Sequence, residues 1–154
     1  MAVLNVVKYP NKLLHEKSSD VAVFDKKLKK LISNMFDTMY EFNGIGLAAV
    51  QVGVLQKVIV IDIDQDGQVF KSEVINPKIL SFSQEQTIME EGCLSVSGRT
   101  CRVKRPKQVC VEYYTIDKKK HIIEVDGLIA KCFQHEIDHL NGIVIVDREV
   151  QEKL

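Results

Sequence analysis

The chain has 154 residues, 21 basic against 21 acidic side chains, and a sequence pI near 6.9. That length suits one domain, expected over residues 1–154, and the balanced charge excludes the broad field of a nucleic-acid or membrane-surface binder. The four cysteines, Cys93, Cys101, Cys110 and Cys132, form no CxxC pair, which argues against a disulfide framework and for reduced thiols in a cytosolic setting.

Taken in order, the apolar run Ala2–Val7 is too short for a signal peptide or a membrane span, and no transit peptide is visible. Leu13, Leu14 and His15 suggest a short helix or turn after Pro10. Asp25 is an N-cap for a helix to about Phe42, because Leu28, Leu31, Ile32, Met35, Phe36 and Met39 recur at helical spacing and predict a core-facing stripe. Lys26–Lys30 then lie on its solvated face. Asn43-Gly44 ends the helix. Gly44 and Gly46 permit a plain C-cap and turn, or an irregular loop whose backbone approaches a ligand. Lys57–Ile63 is a β-branched strand closed by the turn Asp64-Gln65-Asp66-Gly67. Val74–Leu80 is a second strand, in which Pro77 demands an edge or a bulge. Around Glu90–Ser95 a polar stretch interrupts the strand-like pattern. Val109, Val111 and Tyr113, then Ile122 and Val125, alternate on either side of a lysine-rich solvated turn, Asp117–Lys120. Asp126 caps a helix from Gly127 to about Asn141, mostly buried through Leu128, Ile129, Cys132, Phe133 and Leu140. Gly142 stops it, and Ile143–Val146 reads as a last short strand. The class is α+β, with antiparallel or mixed sheets packed around that central helix.

The second helix carries Gln134-His135-Glu136-Ile137-Asp138-His139. Histidines four apart share one helix face and can reach one metal ion, while the intervening glutamate can take a proton from a water on it. Two histidines need a third ligand. No histidine follows His139 closely, and His15 and His121 lack a partner at ligand spacing, so both read as surface or packing residues. Cys93 stands beside Gly92 in a polar stretch. Cys132 precedes His135 by one helical turn and faces roughly the same side, either lining a pocket or competing for the metal. Spacing leaves this choice open.

Three segments resolve it by likeness. Gly44-Ile45-Gly46-Leu47-Ala48-Ala49-Val50-Gln51, Glu91-Gly92-Cys93-Leu94-Ser95 and Gln134-His135-Glu136-Ile137-Asp138-His139-Leu140-Asn141-Gly142 occur in this order and resemble the signature motifs of the peptide deformylases. The resemblance runs from about Tyr9 to Asp147. It implies a metallohydrolase that removes the N-formyl group from the N-terminal formylmethionine of nascent polypeptides and releases formate, with metal-bound water as nucleophile. It makes Cys93, His135 and His139 the ligands of one divalent ion, Fe2+ by expectation, with Zn2+, Ni2+ or Co2+ able to substitute. It makes Glu136 the general acid/base, and Gln51 with the Leu94 N–H the oxyanion donors. Ile45 and Gly46 would offer backbone groups to the peptide. Ile45, Met89, Glu91, Leu128 and Cys132 would surround the methionine side chain, although Leu128 and Met89 also suit simple core packing.

The chain departs from the family at Lys12 and Ser97, where most relatives carry proline; Ser97 is expected to loosen the loop near the substrate entrance. The tail Asp147–Leu154 is short for the C-terminal helix by which many relatives contact the ribosome, which argues against such a contact. No nucleic acid or membrane partner is expected. Two other readings compete: an HExxH metallopeptidase, and a non-catalytic metal-binding module of the same fold. The first would cleave internal peptide bonds. The second would be expected to have lost Glu136 or Cys93, and both are present.

Overall fold

The computed structural model describes residues Ala2–Gln151. Helix α1, Lys26–Glu41, starts where expected: the Asp25 side chain accepts from the Leu28 N–H at 3.0 Å. Its buried stripe is Leu28, Ile32, Met35 and Met39, with Leu31 and Phe36 half-buried. Helix α2, Gly127–Leu140, is buried almost all round from Ile129 onward. Strands β1 (Gly46–Ala48), β2 (Val58–Gln65), β3 (Gln68–Phe82), β6 (Gln108–Tyr114) and β7 (Lys120–Asp126) form one antiparallel sheet in the order β1-β2-β3-β6-β7. Strands β4 (Gln86–Cys93) and β5 (Val96–Pro106) form a separate hairpin. The α+β class is as expected.

The main sheet is covered on both faces. Ile59, Ile61 and Ile63 of β2 turn toward α2, packing with Phe133, Ile129 and Leu140, while Val58 and Val60 turn toward α1 and meet Leu28, Ile32, Met35 and Met39. A strand buried on both faces reads as a continuous apolar run, which is why Val58–Ile63 was legible despite lacking alternation. Its turn closes tightly at Asp66 (φ 50°) and Gly67 (φ 90°), between the facing residues Gln65 and Gln68.

Of the edge or bulge expected at Pro77, the fold uses the bulge, since β3 pairs with β2 on one side and β6 on the other. The β3–β6 register breaks between Ile75 and Lys78, and no ladder bond is asked of the proline nitrogen. Asp126 holds the N-cap position of α2, but its side chain makes no capping bond. Gln65, from the β2–β3 hairpin, caps instead, its Oε1 accepting from the Ile129 N–H at 3.0 Å. The polar segment Glu90–Cys93 is strand, not an interruption of one. Ile143–Val146 is not a strand: Ile145–Arg148 is a 3-10 turn in which Asp147 Oδ2 accepts from the Val144 N–H at 2.9 Å. The tail Asp147–Leu154 falls partly outside the described residues. Gly142 ends α2 at φ 75°, where an added Cβ would lie 2.5 Å from the His15 carbonyl oxygen, so only glycine lets the N-terminal turn pack on the helix end.

Candidate active site

One stripe of α2 builds most of the site. Cys132, His135, Glu136 and His139 recur at helical spacing on the side of the helix that meets β1 and the β4–β5 hairpin, and all four are buried. Cys93 comes from the end of β4, where its Sγ lies 3.3 Å from His139 Nε2. The ligand atoms of Cys93, His135 and His139 lie within 4.8 Å of one another, a set able to hold one metal ion. Cys132 is outside that set. It is fully buried, and burial first, then the nearby Glu136, pushes its thiol well above the ordinary range, so it suits a pocket wall rather than a thiolate ligand.

Around these groups the side chains are fixed by specific bonds. Gln51 accepts the Ala48 N–H on its Oε1 at 2.9 Å, which turns its Nε2 toward Ser95 Oγ (3.1 Å) and Cys93 Sγ (3.5 Å). His135 Nδ1 bonds Glu91 Oε1 at 3.0 Å, which turns Nε2 toward Glu136 and Cys93. Glu91 is itself gripped by Arg105, whose Nε and Nη2 reach its two oxygens at 2.6 and 2.9 Å. Arg105 Nη1 also reaches Asp138 Oδ2 at 2.8 Å.

Sequence reading left Arg105 and Asp138 without a role. Asp138 stood inside the histidine motif, and the signal for Arg105 was strand alternation. Cys101, Val103 and Arg105 share the buried face of β5 opposite the face of β4 that carries Glu91. That signal was lost with the strand.

Charge and burial set the protonation states of the metal-free site. Burial raises the Glu136 carboxyl from 4.5 to about 7, with His135 opposing. Burial also pushes His139 well below its usual value, helped by the His135 charge. For His135 burial favours the neutral ring, yet the Glu136 charge and the bonds to Cys93 and Glu91 outweigh it and raise the imidazole to about 10. Glu91 behaves oppositely: burial would raise it, but bonds from His135 and Arg105 lower it from 4.5 to about 2. A carboxyl lowered on folding stabilises the native state above its unfolded value and loses that contribution as pH falls through the folded one. Urea unfolding of the metal-free protein is therefore expected to show stability falling between about pH 4.5 and 2, with a flatter profile over that window in Glu91→Gln.

A cavity of about 420 Å³ opens onto the site, lined among others by Ile45, Gly46, Leu94, Cys132, His135 and Glu136. Of the expected methionine-pocket residues it includes Ile45, Glu91 and Cys132, but not Met89 or Leu128. Leu128 packs against the core of α2 and the sheet, and Met89 borders a much smaller cleft beside Arg105 that shares Glu91 and Lys131 with the opening. Glu91 contributes a buried, ion-paired carboxylate rather than an apolar wall. Lys131 and Asn43, unassigned from the sequence, also line the opening. β1 is an edge strand. The Asp62 N–H donates to the Ile45 carbonyl at 2.9 Å, so Gly46, opposite Ile61, turns its own N–H and C=O to the free edge. The Ile45 carbonyl is thus already taken. A Cβ on Gly46 would lie 2.7 Å from Cys132 Sγ and 2.8 Å from Glu136 Oε2, which is why β1 can come this close to α2. Ser97 does not leave its loop untied, since its Oγ accepts from Lys8 Nζ at 3.0 Å and the same ammonium reaches the Leu94 carbonyl at 2.7 Å.

The family model for polypeptide deformylase matches residues 3–154. The chain belongs to the polypeptide deformylase family. It is 47% identical over 156 residues to a peptide deformylase of Neisseria meningitidis serogroup C, covering 99% of this chain and 90% of that protein. A peptide deformylase of Chromobacterium violaceum is 46% identical over 153 residues, with the same coverage of each chain. The crystal structure of peptide deformylase from Ehrlichia chaffeensis in complex with actinonin superposes with a TM-score of 0.93 at 40% identity, covering 98% of this chain and 91% of that one. The family is metal-dependent, and the Cys93, His135 and His139 cluster is where this chain can hold an ion.

Proposed function

We propose that the chain hydrolyses the N-formyl group of N-formylmethionyl peptides, releasing formate and a free N-terminal amine. The observation that carries this reading is the convergence of Cys93, His135, Glu136 and Gln51 on one cavity whose wall includes the free edge of β1, with His139 buried behind them against Cys93. One thiol and two imidazoles form a three-ligand set, the pattern of catalytic rather than closed structural sites. Glu136 Oε1 is buried with no hydrogen-bond partner, which suits a group that exchanges a proton with a ligand or water at this place. Cys93, His135 and His139 would hold a divalent ion, with ferrous iron as the proposed metal and zinc, nickel or cobalt as substitutes. When bound, that ion supplies Lewis acidity, polarising the formyl oxygen and making water nucleophilic near neutral pH.

The chain's own groups do the rest. Glu136 takes the proton of the attacking water and delivers it to the departing amine. Burial raises this carboxyl in the metal-free site, which opposes the pull of a bound cation toward the ionised form. The Gln51 Nε2 and the Leu94 N–H donate to the oxygen on which charge develops, and one such donor is typically worth about 10²–10³ in rate. The Ala48–Gln51 bond aims the amide before substrate arrives. The substrate backbone adds to the β1 edge through Gly46, and the methionine thioether rests against Ile45, Leu94 and Cys132. Among the described residues no helix is long and apolar enough to cross a membrane. A nascent-chain substrate places the enzyme in the cytoplasm.

The deciding experiment is formate release from a formyl-Met-Ala peptide by protein loaded anaerobically with ferrous iron or with nickel. Fast release abolished by a chelator supports the reading. Folded, metal-loaded protein that releases none sinks it in favour of the binding-module alternative. In Cys93→Ser the expected result is markedly weaker metal retention, read as metal per chain after desalting. Full retention would mean that another group is the third ligand.

A further inference from the structure

We propose that Arg148, at the protein surface, is a positioning residue for His135, acting through Asp138, Arg105 and Glu91; this rests on His135 being a metal ligand. The links are continuous. Arg148 Nε and Nη2 donate to Asp138 Oδ2 and Oδ1 at 2.5 and 2.9 Å. Asp138 Oδ2 also accepts from Arg105 Nη1 at 2.8 Å. Arg105 turns its remaining donors to both oxygens of Glu91, and Glu91 Oε1 bonds His135 Nδ1 at 3.0 Å. Two carboxylates thus face two guanidiniums, and the relay is balanced.

The position of Arg148 makes it more than a surface ion pair. Exposed pairs between long side chains contribute little on their own. Here the acceptor is a buried carboxylate, the contact is bidentate, and only the Arg148 end is in solvent, at 43% exposure. Without Arg148, Arg105 is the only guanidinium left to these two carboxylates among the described residues. It is then drawn toward Asp138, its two-point grip on Glu91 loosens, and Glu91 no longer holds His135 Nδ1 in one orientation. Partners that orient a ligating histidine typically change metal affinity about 10–100-fold, and Arg148, further out, is expected to change it less. The 3-10 turn Ile145–Arg148 that delivers this side chain follows directly on α2, so the helix and its outer anchor are tied within one short stretch of chain.

Arg148→Met and Arg148→Lys are compared with wild type and with Arg99→Met, which removes the neighbouring Arg99–Glu149 pair (2.5 Å) and leaves the relay intact. Two quantities are read: the rate at which excess chelator strips nickel from the loaded protein, and the imidazole N–H resonance of His135 in metal-free protein. Arg148→Met is expected to lose nickel about 3–10-fold faster and to shift or broaden that resonance, as a more weakly acting member of the set that orients the ligand. Arg148→Lys should recover part of both, and Arg99→Met should change neither. Wild-type stripping and an unmoved resonance in Arg148→Met overturn the proposal. So does equal acceleration in Arg99→Met, which would mean general loosening of this edge. Wild type that retains nickel but releases no formate refutes the deformylase reading alone, whereas wild type that retains no nickel refutes both.

Discussion

Glu136→Ala is expected to lower formate release by about 10²–10⁴-fold while leaving metal content unchanged, the range typical of removing a positioned general acid/base. The expectation follows from placement. Glu136 shares the helix stripe of His135 and His139, its Oε2 is 3.9 Å from His135 Nε2, and its Oε1 has no protein partner. No ligand set is broken by its removal. Near-native turnover in the variant would refute the role. A second readout separates function from folding. Burial raises this carboxyl from 4.5 to about 7, so the charged form is a cost that the metal-free fold bears at higher pH. The sign is fixed by the raised value: wild type binds the proton more tightly folded than unfolded, so its stability declines as pH rises from about 4.5 through 7. Metal-free Glu136→Gln should therefore be more stable than wild type at pH 8, by roughly 1–3 kcal/mol, and no more stable at pH 4. A glutamine less stable than wild type at pH 8 would show that the carboxylate is well satisfied in the native state.

Arg105→Met is expected to destabilise the metal-free protein by about 3–5 kcal/mol at neutral pH, because breaking a buried ion pair from one side leaves its partners' charges uncompensated. Arg105 is 5% exposed and serves two carboxylates, Glu91 at 2% and Asp138 at 9%. The partial charge relief from Arg148 reaches Asp138 and not Glu91. Chemical unfolding at pH 7 measures the loss, and a change under about 1 kcal/mol would mean that the carboxylates are hydrated or protonated without cost. Metal retention should fall with it, since Glu91 holds His135 Nδ1. The pH dependence tells the same story from another side. If Glu91 draws its stabilising role from Arg105 and His135, the acid-induced loss of stability between about pH 4.5 and 2 should be reduced in Arg105→Met.

The sequence by itself determined the parts whose signals are local. Helix α1 was readable from its N-cap Asp25 and the spacing of Leu28, Ile32, Met35 and Met39, and α2 from the histidine motif with Gly142 behind it, because capping and amphipathic period are short-range properties. The β2–β3 and β6–β7 hairpins were readable from the β-branched run, the Asp66-Gly67 turn and the alternation of Val109, Val111 and Tyr113. The family, and with it the expected ligands and acid/base, came from three motifs and not from spacing, which left Cys93 and Cys132 unresolved. Tertiary structure decided what depends on partners distant in the chain. Glu90–Cys93 looks polar because Glu91 is buried against Arg105, and a strand that hides a charge does not show the apolar pattern of one. Gln65 rather than Asp126 caps α2, a choice made by the packing of a hairpin tip on a helix end. Met89 and Leu128 carry the right side chains for a thioether pocket, yet Met89 borders the small cleft beside Arg105 and Leu128 packs against the core. Composition can nominate a pocket wall, but only the crossing of β1, β4 and α2 decides which nominees face the opening.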